Sequence, residues 1–239
     1  MSWWRHRGPR PVAVVYSDDA TGPRDGDDTG ALAAMLAATR WGFQVITAGP
    51  RGRTSVQEAL SRPDVVLYAQ PGADGDDDQA FRRQKRDKRA IRRFVSDGGF
   101  YLGVCMGGFL AEPGHFDLFP GRVDEYYSSP GASVTTDDPA VVPVLWRGTP
   151  RAMYFQDGGF MVPRRRARSA MTVLAEYTNG SIAAVVAPCG AGRIALCGPH
   201  PEAPPAWYRE AGLAYGGSTQ DLGDDLVDTL MGLRDGSPG

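Results

Sequence analysis

The chain has 239 residues, of which 42% are hydrophobic and 23% are charged, and its formal net charge is −2 at pH 7. This composition is typical of a folded globular protein, and the length allows one large α/β domain. The small negative charge disfavours a nucleic-acid-binding protein, which carries a basic excess on one face. No apolar segment is long enough to span a bilayer, so we expect a cytoplasmic protein with neither membrane nor nucleic-acid partners.

Short β-branched segments alternate with helical segments in the first half of the chain, which predicts a largely parallel sheet covered by helices on both faces. The predicted elements are strand 11–17, helix 29–42, strand 43–49, helix 54–63, strand 64–70, a charged helix after residue 76, and a turn and strand over 97–105. The charged helix carries eight basic residues between Arg82 and Arg93, and Phe81, Ile91 and Phe94 share one stripe. We interpret the basic residues as a solvent-exposed face, because the charges at both ends match the helix dipole.

The second half contains shorter strands separated by Gly, Pro and Asn turns, which predicts antiparallel strands added to the sheet. The predicted elements are strands 141–146, 152–156, 172–177, 181–187 and 193–198, followed by helix 219–235. The two strands around the turn "PCGAG" are expected to pair. We expect a single domain over residues 1–239, with flexible ends at 1–10 and 236–239.

The cysteines and histidines are too scattered to predict a metal site. They are Cys105, Cys189, Cys197, His6, His115 and His200. No Cys-x-x-Cys pair is present, and an odd number of cysteines fits a reducing compartment. The sequence also lacks a Walker A motif and a Gly-x-Gly-x-x-Gly motif, so we expect no metal and no cofactor.

Cys105 lies in "YLGVCMGGFL", directly after a predicted strand, with Gly103 and Gly107 two residues to either side. Small residues at these positions relieve crowding around a nucleophile on a strand-to-helix elbow. A helix N-terminus favours the thiolate, and the amide of Met106 would face a developing oxyanion, with Gly72 as a second donor. A buried free cysteine beside glycines has the same local sequence, and the spacing alone leaves both interpretations open.

The segment "CGPHPE" at 197–202 supplies a base and an orienting carboxylate for such a nucleophile. His200 follows a predicted strand, and Pro201 biases it to an extended conformation. In that conformation Glu202 can accept a hydrogen bond from one imidazole nitrogen while the other faces the thiol. The pair therefore favours a Cys-His-Glu triad over a buried cysteine.

With both motifs present, the chain resembles the class I glutamine amidotransferase-like superfamily, and most closely its biotin-protein-ligase N-terminal-domain-like family. The resemblance extends in order across residues 12–202. Its segments are "VLYAQPGAD", "IRRFVSDGGFYLGVCMGGFL", "DLFPG", "YFQDGGF" and "CGPHPE". It implies a three-layer α/β/α flavodoxin-like sandwich with a mostly parallel central sheet and an added antiparallel strand layer.

The resemblance also implies roles for individual residues. Cys105 would be the nucleophile, His200 the base and Glu202 its orienter. The predicted oxyanion and substrate-binding residues are Gly72, Met106, Gly107, Asp18, Gln156 and Asp157. The last three lie in loops 17–28 and 156–160, which are expected to line the pocket because ligands bind beyond the carboxyl ends of parallel strands.

The sequence departs from the family at two places. The run "MGGFL" after Cys105 is apolar, where glutaminases continue with polar residues, and Pro71 occupies a position where the family tends to have glycine. We expect a cysteine-dependent amide hydrolase or acyl-transfer enzyme acting on a small-molecule or peptide amide. The alternatives are a non-catalytic or regulatory binding module, and a thiol sensor or glyoxalase of the DJ-1 type. The oligomeric state stays open, a homodimer included.

Overall fold

The computed structural model describes residues 10–19, 24, 26–73 and 75–232. The expected flexible ends lie outside these residues, apart from Arg10, and so does His6. The strands are β1 (Val12–Tyr16), β2 (Gln44–Ala48), β3 (Val65–Gln70), β4 (Phe100–Val104), β5 (Gly121–Glu125), β6 (Ala140–Trp146), β7 (Thr149–Phe155), β8 (Gly159–Pro163), β9 (Thr172–Tyr177), β10 (Ile182–Cys189) and β11 (Gly192–Cys197). The α-helices are α1 (Asp28–Ala38), α2 (Val56–Leu60), α3 (Asp77–Gln84), α4 (Lys88–Ser96), α5 (Met106–Leu110), α6 (Pro205–Glu210) and α7 (Gln220–Met231).

The strands form one sheet in the order β2-β1-β3-β4-β11-β10-β9-β6-β7. The five strands from β2 to β11 are parallel, and the pairs from β11 onward are antiparallel. The antiparallel strands continue the same sheet, while β5 and β8 pair beside β10. β10 and β11 form the expected hairpin. The parallel part carries the site, because the carboxyl ends of β3, β4 and β11 meet at one edge.

Helices cover the parallel strands on both faces, which confirms the α/β/α sandwich. On one face α1 and α7 bury residues such as Leu36 and Leu226 against the sheet. On the other face α2, α4 and α5 bury residues such as Ala59, Ile91 and Leu110. β4 lies between these layers with its inner residues fully buried, so the segment that follows it starts from a rigid position.

The charged segment forms two helices, α3 and α4, where the sequence pattern predicted one continuous stripe. The chain turns over residues 85–87, where the Asp87 amide donates to the Gln84 carbonyl at 2.8 Å. The break lets Gln84 reach the Tyr68 hydroxyl and lets α4 pack Ile91 and Val95 into the core. The pattern also missed β5, β8 and α6. In the part of the chain described, no helix is long and apolar enough to cross a bilayer.

Candidate active site

Cys105 lies on a strained turn between β4 and α5. Its backbone angles are φ 49° and ψ −110°, a conformation that a non-glycine residue adopts at a free-energy cost. Its amide donates to the Cys197 carbonyl at 2.9 Å, and its carbonyl accepts from the Gly108 amide at 2.8 Å. These two bonds hold Cys105 at the end of the sheet in the geometry of a nucleophile elbow.

The glycines on either side of Cys105 are required by close backbone contacts. A Cβ atom at Gly103 would collide with the carbonyl of Gly107, and a Cβ at Gly107 would collide with the carbonyl of Gln70. The Tyr101 hydroxyl donates to the same Gly107 carbonyl at 2.7 Å. Gly107 therefore lies behind the elbow as a packing residue and does not line the cleft.

His200 reaches Cys105 from the segment that follows β11. Its backbone amide donates to the Tyr154 carbonyl at 2.9 Å, so the segment is anchored to β7. Its Nδ1 lies 2.9 Å from Glu202 Oε1, and both side chains are buried. Because a carboxylate only accepts, Nδ1 carries the proton, which leaves Nε2 for Cys105.

The charge state of His200 follows from these neighbours. Burial lowers the pKa of His200, but the negative charge of Glu202 and the hydrogen bond and charge of Cys105 raise it well above its ordinary value. The Cys105 sulfur also lies 3.4 Å from the Gln156 carbonyl oxygen. The thiol thus has the Gln156 carbonyl as an acceptor, and it shares the cleft with the His200 imidazole.

Two aromatic rings enclose the imidazole. Tyr154 and Trp207 meet the His200 ring edge to face, with centroid distances of 5.8 and 5.3 Å. The Trp207 indole donates to the Gly26 carbonyl at 2.6 Å, which ties α6 to the loop before α1. Sequence reasoning missed Trp207, although "PPAW" directly after "CGPHPEA" is a Pro-started helix close to the site.

Gly72 and Met106 both line the cleft beside Cys105. A Cβ at Gly72 would come within 3.1 Å of His200 Cε1 and 3.0 Å of Asp28 Oδ1. A larger residue at this position would therefore crowd the imidazole and the Asp28 carboxylate. Met106 opens α5, where the first amides have no partner within the helix. α5 has only five residues, so individual amides matter more here than a helix dipole.

The remaining predicted residues divide between the cleft and its surroundings. Gln156 and Asp157 line the cleft beside Cys105. Glu202 lies behind His200. Asp18 lies in an adjacent pocket beside Tyr16, 3.6 Å from the Arg83 guanidinium, and does not line the Cys105 cleft.

The cleft over Cys105 has a volume of about 530 Å³, enough for a small molecule. Its acidic lining residues are Asp27, Asp28, Asp137, Asp157 and Glu210. Burial, followed by the charges of Glu125, Asp137 and Asp77, raises the pKa of Asp157 to about 6. Of these five, only Asp157 was predicted individually as a site residue. The others come from the start of α1, the end of α6 and the loop before β6, and only the fold brings these segments together.

Asp77, Glu112 and His115 place three potential metal-ligand atoms within 4.8 Å of one another. Each side chain has a protein partner. His115 Nδ1 lies 3.2 Å from the Phe109 carbonyl, Glu112 accepts from the Val123 amide at 3.1 Å, and Asp77 accepts from the Asp78 amide at 2.9 Å. Local structure accounts for this cluster without a metal ion.

No protein-family model and no curated protein matches this sequence. Among solved structures, the chain is similar to PurLQS from Thermotoga maritima, with a TM-score of 0.60 and 14% identity over 93% of this chain and 98% of that one. A glutamine amidotransferase from Thermotoga maritima matches with a TM-score of 0.58 and 11% identity over 94% and 97% of the two chains. The chain has a class I glutamine amidotransferase-like fold.

This amidotransferase-like fold is not confined to amidotransferases. Gan42B, a GH42 β-galactosidase, matches 94% of this chain with a TM-score of 0.53 and 15% identity, over 30% of its own length. At such identities the likeness establishes the fold alone, and the chemistry has to be argued from the site. The narrower resemblance to the biotin-protein-ligase N-terminal-domain-like family stays a prediction.

Proposed function

We propose that this protein is a cysteine-dependent amide hydrolase or acyl-transfer enzyme. The observation that carries the proposal is the convergence of three groups at the carboxyl edge of the sheet: a cysteine in elbow geometry, an imidazole that lines the same cleft, and a buried carboxylate 2.9 Å from that imidazole. A base that activates a nucleophile and is oriented by a third group is the general arrangement of a catalytic triad. The amidotransferase-like fold supports the same reaction class.

The first half-reaction acylates Cys105. His200 takes the thiol proton, and the thiolate sulfur attacks the amide carbon to form a C–S bond and a tetrahedral oxyanion. In this proposal the amides of Met106 and Gly72 donate to that oxyanion, each contributing roughly 3–4 kcal/mol of transition-state stabilisation. The imidazolium then protonates the leaving nitrogen, and the C–N bond breaks to release an amine or ammonia.

The second half-reaction releases the acyl group. His200 removes a proton from water or from an acceptor amine, whose oxygen or nitrogen attacks the thioester carbon. The C–S bond then breaks, and His200 returns a proton to the Cys105 sulfur. Glu202 holds the imidazole orientation through both steps. Acid–base catalysis of this kind contributes roughly 10²–10⁴-fold to the rate.

The substrate pocket differs from that of a glutaminase. Met106 and Phe109, from the apolar run after the nucleophile, line the cleft where the family has polar residues. A screen for ammonia release should therefore cover glutamine, other primary amides and short peptides, with Cys105→Ala as the control. Turnover that survives in Cys105→Ala would contradict the proposal.

Thiol labelling tests the nucleophile without knowledge of the substrate. Burial raises the pKa of Cys189 and raises that of Cys197 well above its ordinary value. We expect iodoacetamide to modify Cys105 faster than either, because Cys105 alone of the three cysteines lines a cleft that also contains an imidazole. Labelling of Cys105 no faster than Cys189 would remove the case for a nucleophile.

A binding module without turnover is the second candidate. Two observations favour it: the apolar run after Cys105, and the occurrence of the same fold within a β-galactosidase chain. A reactive Cys105 with no turnover of any amide would support it. A DJ-1 type of thiol site would need an acid from the first strand region, for which Asp18 and Asp19 are the candidates. It is less well supported, since these acids line the neighbouring pocket and pair with Arg83 and Arg24. A cytoplasmic location and a homodimer remain predictions.

A further inference from the structure

We infer that the Cys105 cleft selects an amide whose acyl chain carries a positively charged group, an ammonium or a guanidinium. This inference rests on the proposed function, because it takes Cys105 as the attacking group. It concerns the charge of the substrate, which the triad and the fold leave undetermined.

The first argument is the one-sided charge of the cleft. Five carboxylates line it, and none of the lining residues in the described part of the chain is a lysine or an arginine. Asp27 has a structural role, since it caps α1 by accepting from the Gly30 amide. The five carboxylates come from four separate segments: the start of α1, the end of α6, the loop before β6 and the loop after β7. A concave wall of one charge sign concentrates ligands of the opposite sign.

The second argument is where two of these carboxylates lie. Asp28 Oδ1 and the His200 ring both lie within about 3 Å of a Cβ placed on Gly72, so the Asp28 carboxylate borders the triad itself. On the other side, the Asp157 carbonyl oxygen lies 3.9 Å from the Cys105 sulfur. The Asp28 carboxylate therefore borders His200, while Asp157 has its backbone beside Cys105 and lines the same cleft.

Asp157 indicates that the charge on its side of the cleft is uncompensated. Its pKa is raised to about 6 by burial and by three acidic neighbours, with no basic group among the causes. A bound cation would relieve this repulsion. The Tyr154 and Trp207 rings, 5.3 Å apart, add aromatic faces that attract a cation in the same cleft.

The charge of the substrate also bears on the reaction. The thiolate and imidazolium together are neutral, and attack moves the negative charge from the sulfur to the carbonyl oxygen, so that the oxyanion forms in a cleft lined by carboxylates. A cation on the acyl chain offsets that charge, whereas a carboxylate increases it. We therefore expect charge to change kcat/KM as well as binding, by on the order of tenfold for each nearby carboxylate.

Charged thiol reagents test the cleft without the need for turnover. Trimethylammonium-ethyl methanethiosulfonate and sulfonatoethyl methanethiosulfonate react with a thiol in the same way but carry opposite charges. After normalisation to mercaptoethanol, we expect the cationic reagent to modify Cys105 at least about tenfold faster than the anionic one. Peptide mass analysis resolves Cys105 from Cys189, which serves as an internal reference. Equal rates at Cys105, or a faster anionic reagent, overturn the inference.

Charge-neutralising variants assign the effect to the cleft. Asp28→Asn and Asp157→Asn should each reduce the cationic preference at Cys105 severalfold. Asp97→Asn makes the same substitution at the opposite edge of the sheet, where Asp97 pairs with Arg93 on the surface, and should leave the preference unchanged. An equal loss in all three variants would show only a general charge effect and would overturn the assignment.

Matched amides extend the test to ligands. δ-Aminovaleramide, hexanamide and adipic acid monoamide share a primary amide and an alkyl chain but end in an ammonium, a methyl and a carboxylate. Calorimetry on Cys105→Ala should rank their affinities in that order.

If the reagents show the cationic preference but no amide is hydrolysed by the native protein, the proposed enzyme fails and the cation site stands. If amides are hydrolysed without regard to charge, the inference alone fails, and a Cys105 that reacts with neither reagent overturns both.

Discussion

The Nδ1 atom of His200 lies 2.9 Å from Oε1 of Glu202, and the two side chains are 4% and 0% exposed. The carboxylate is therefore the nearest counter-charge for an imidazolium that solvent does not reach. Burial lowers the pKa of His200, but Glu202 and Cys105 together hold it well above its ordinary value. Glu202 thus fixes the orientation of the imidazole and favours its charged form.

Replacement of Glu202 by glutamine tests this relationship. Glu202→Gln keeps an oxygen that can accept from Nδ1 but removes the negative charge. We expect kcat/KM to fall by roughly a hundredfold or more, with the pKa of His200 lowered, so that the imidazolium is lost at a lower pH. The pH profile of Cys105 alkylation measures that shift. Glu58→Gln on the exposed surface of α2 is the matched control, and a profile that is the same in both variants would contradict the role of Glu202.

The two glycines at the start of α5 should respond to alanine in opposite directions. A Cβ at Gly107 meets the Gln70 carbonyl, whereas a Cβ at Gly108 meets only Val123 Cγ1 at 3.9 Å. We expect Gly107→Ala to lower the free energy of unfolding by roughly 2–3 kcal/mol. Gly108→Ala should be neutral or stabilising by up to about 1 kcal/mol. Urea denaturation compares the two, and similar losses in both would refute the close contact at Gly107.

The strain at Cys105 predicts a reversal of the usual order of alanine and glycine. At φ 49° an alanine keeps the cost of the elbow, whereas a glycine adopts the conformation freely. Cys105→Gly should therefore be more stable than Cys105→Ala by about 1–2 kcal/mol. The control is Cys197 in β11, where glycine should be less stable than alanine by roughly 0.5–1 kcal/mol. The same order at both cysteines would mean that the elbow is unstrained.

Replacement of Asp157 should stabilise the protein by an amount that depends on pH. Its folded pKa of about 6 exceeds the ordinary value of 3.8, so the folded state binds more protons between these values. The free energy of unfolding therefore falls as pH rises through that window. Asp157→Asn removes the penalty, and asparagine tolerates the φ of 50° at this position.

We expect Asp157→Asn to stabilise the protein by about 1 kcal/mol near pH 8 and by almost nothing near pH 4. The value at pH 8 is discounted because solvent screens the charge of a half-exposed side chain. Urea denaturation at the two pH values makes the comparison. A gain that is equal at both would assign the effect to the backbone instead of the carboxylate. The same variant should weaken the cationic preference of the cleft, so stability and selectivity should change in opposite directions.

The sequence predicted those features of the site whose residues lie close together along the chain. The elbow needs small residues two positions from Cys105, and His200 and Glu202 are two residues apart, so both motifs are visible in single segments. The alternation of strands and helices predicted the parallel sheet for the same reason. The break between α3 and α4 was missed, because it depends on the burial of Gln84 against Tyr68 and not on the local pattern.

The acidic and aromatic wall of the cleft required the tertiary structure. Asp18 and Asp28 lie in one Asp-rich loop, and the sequence offers no way to tell which of them faces the nucleophile. The path of the chain sends Asp18 to Arg83 and places Asp28 beside Gly72. Trp207 reaches His200 only because α6 packs against Tyr154 and donates to Gly26.

The sequence by itself thus determined the parallel sheet and predicted a candidate nucleophile and base at its edge, since these follow from periodicity and spacing. The tertiary structure alone decided the charge and shape of the cleft, because they depend on which side chains distant segments bring to one edge of the sheet.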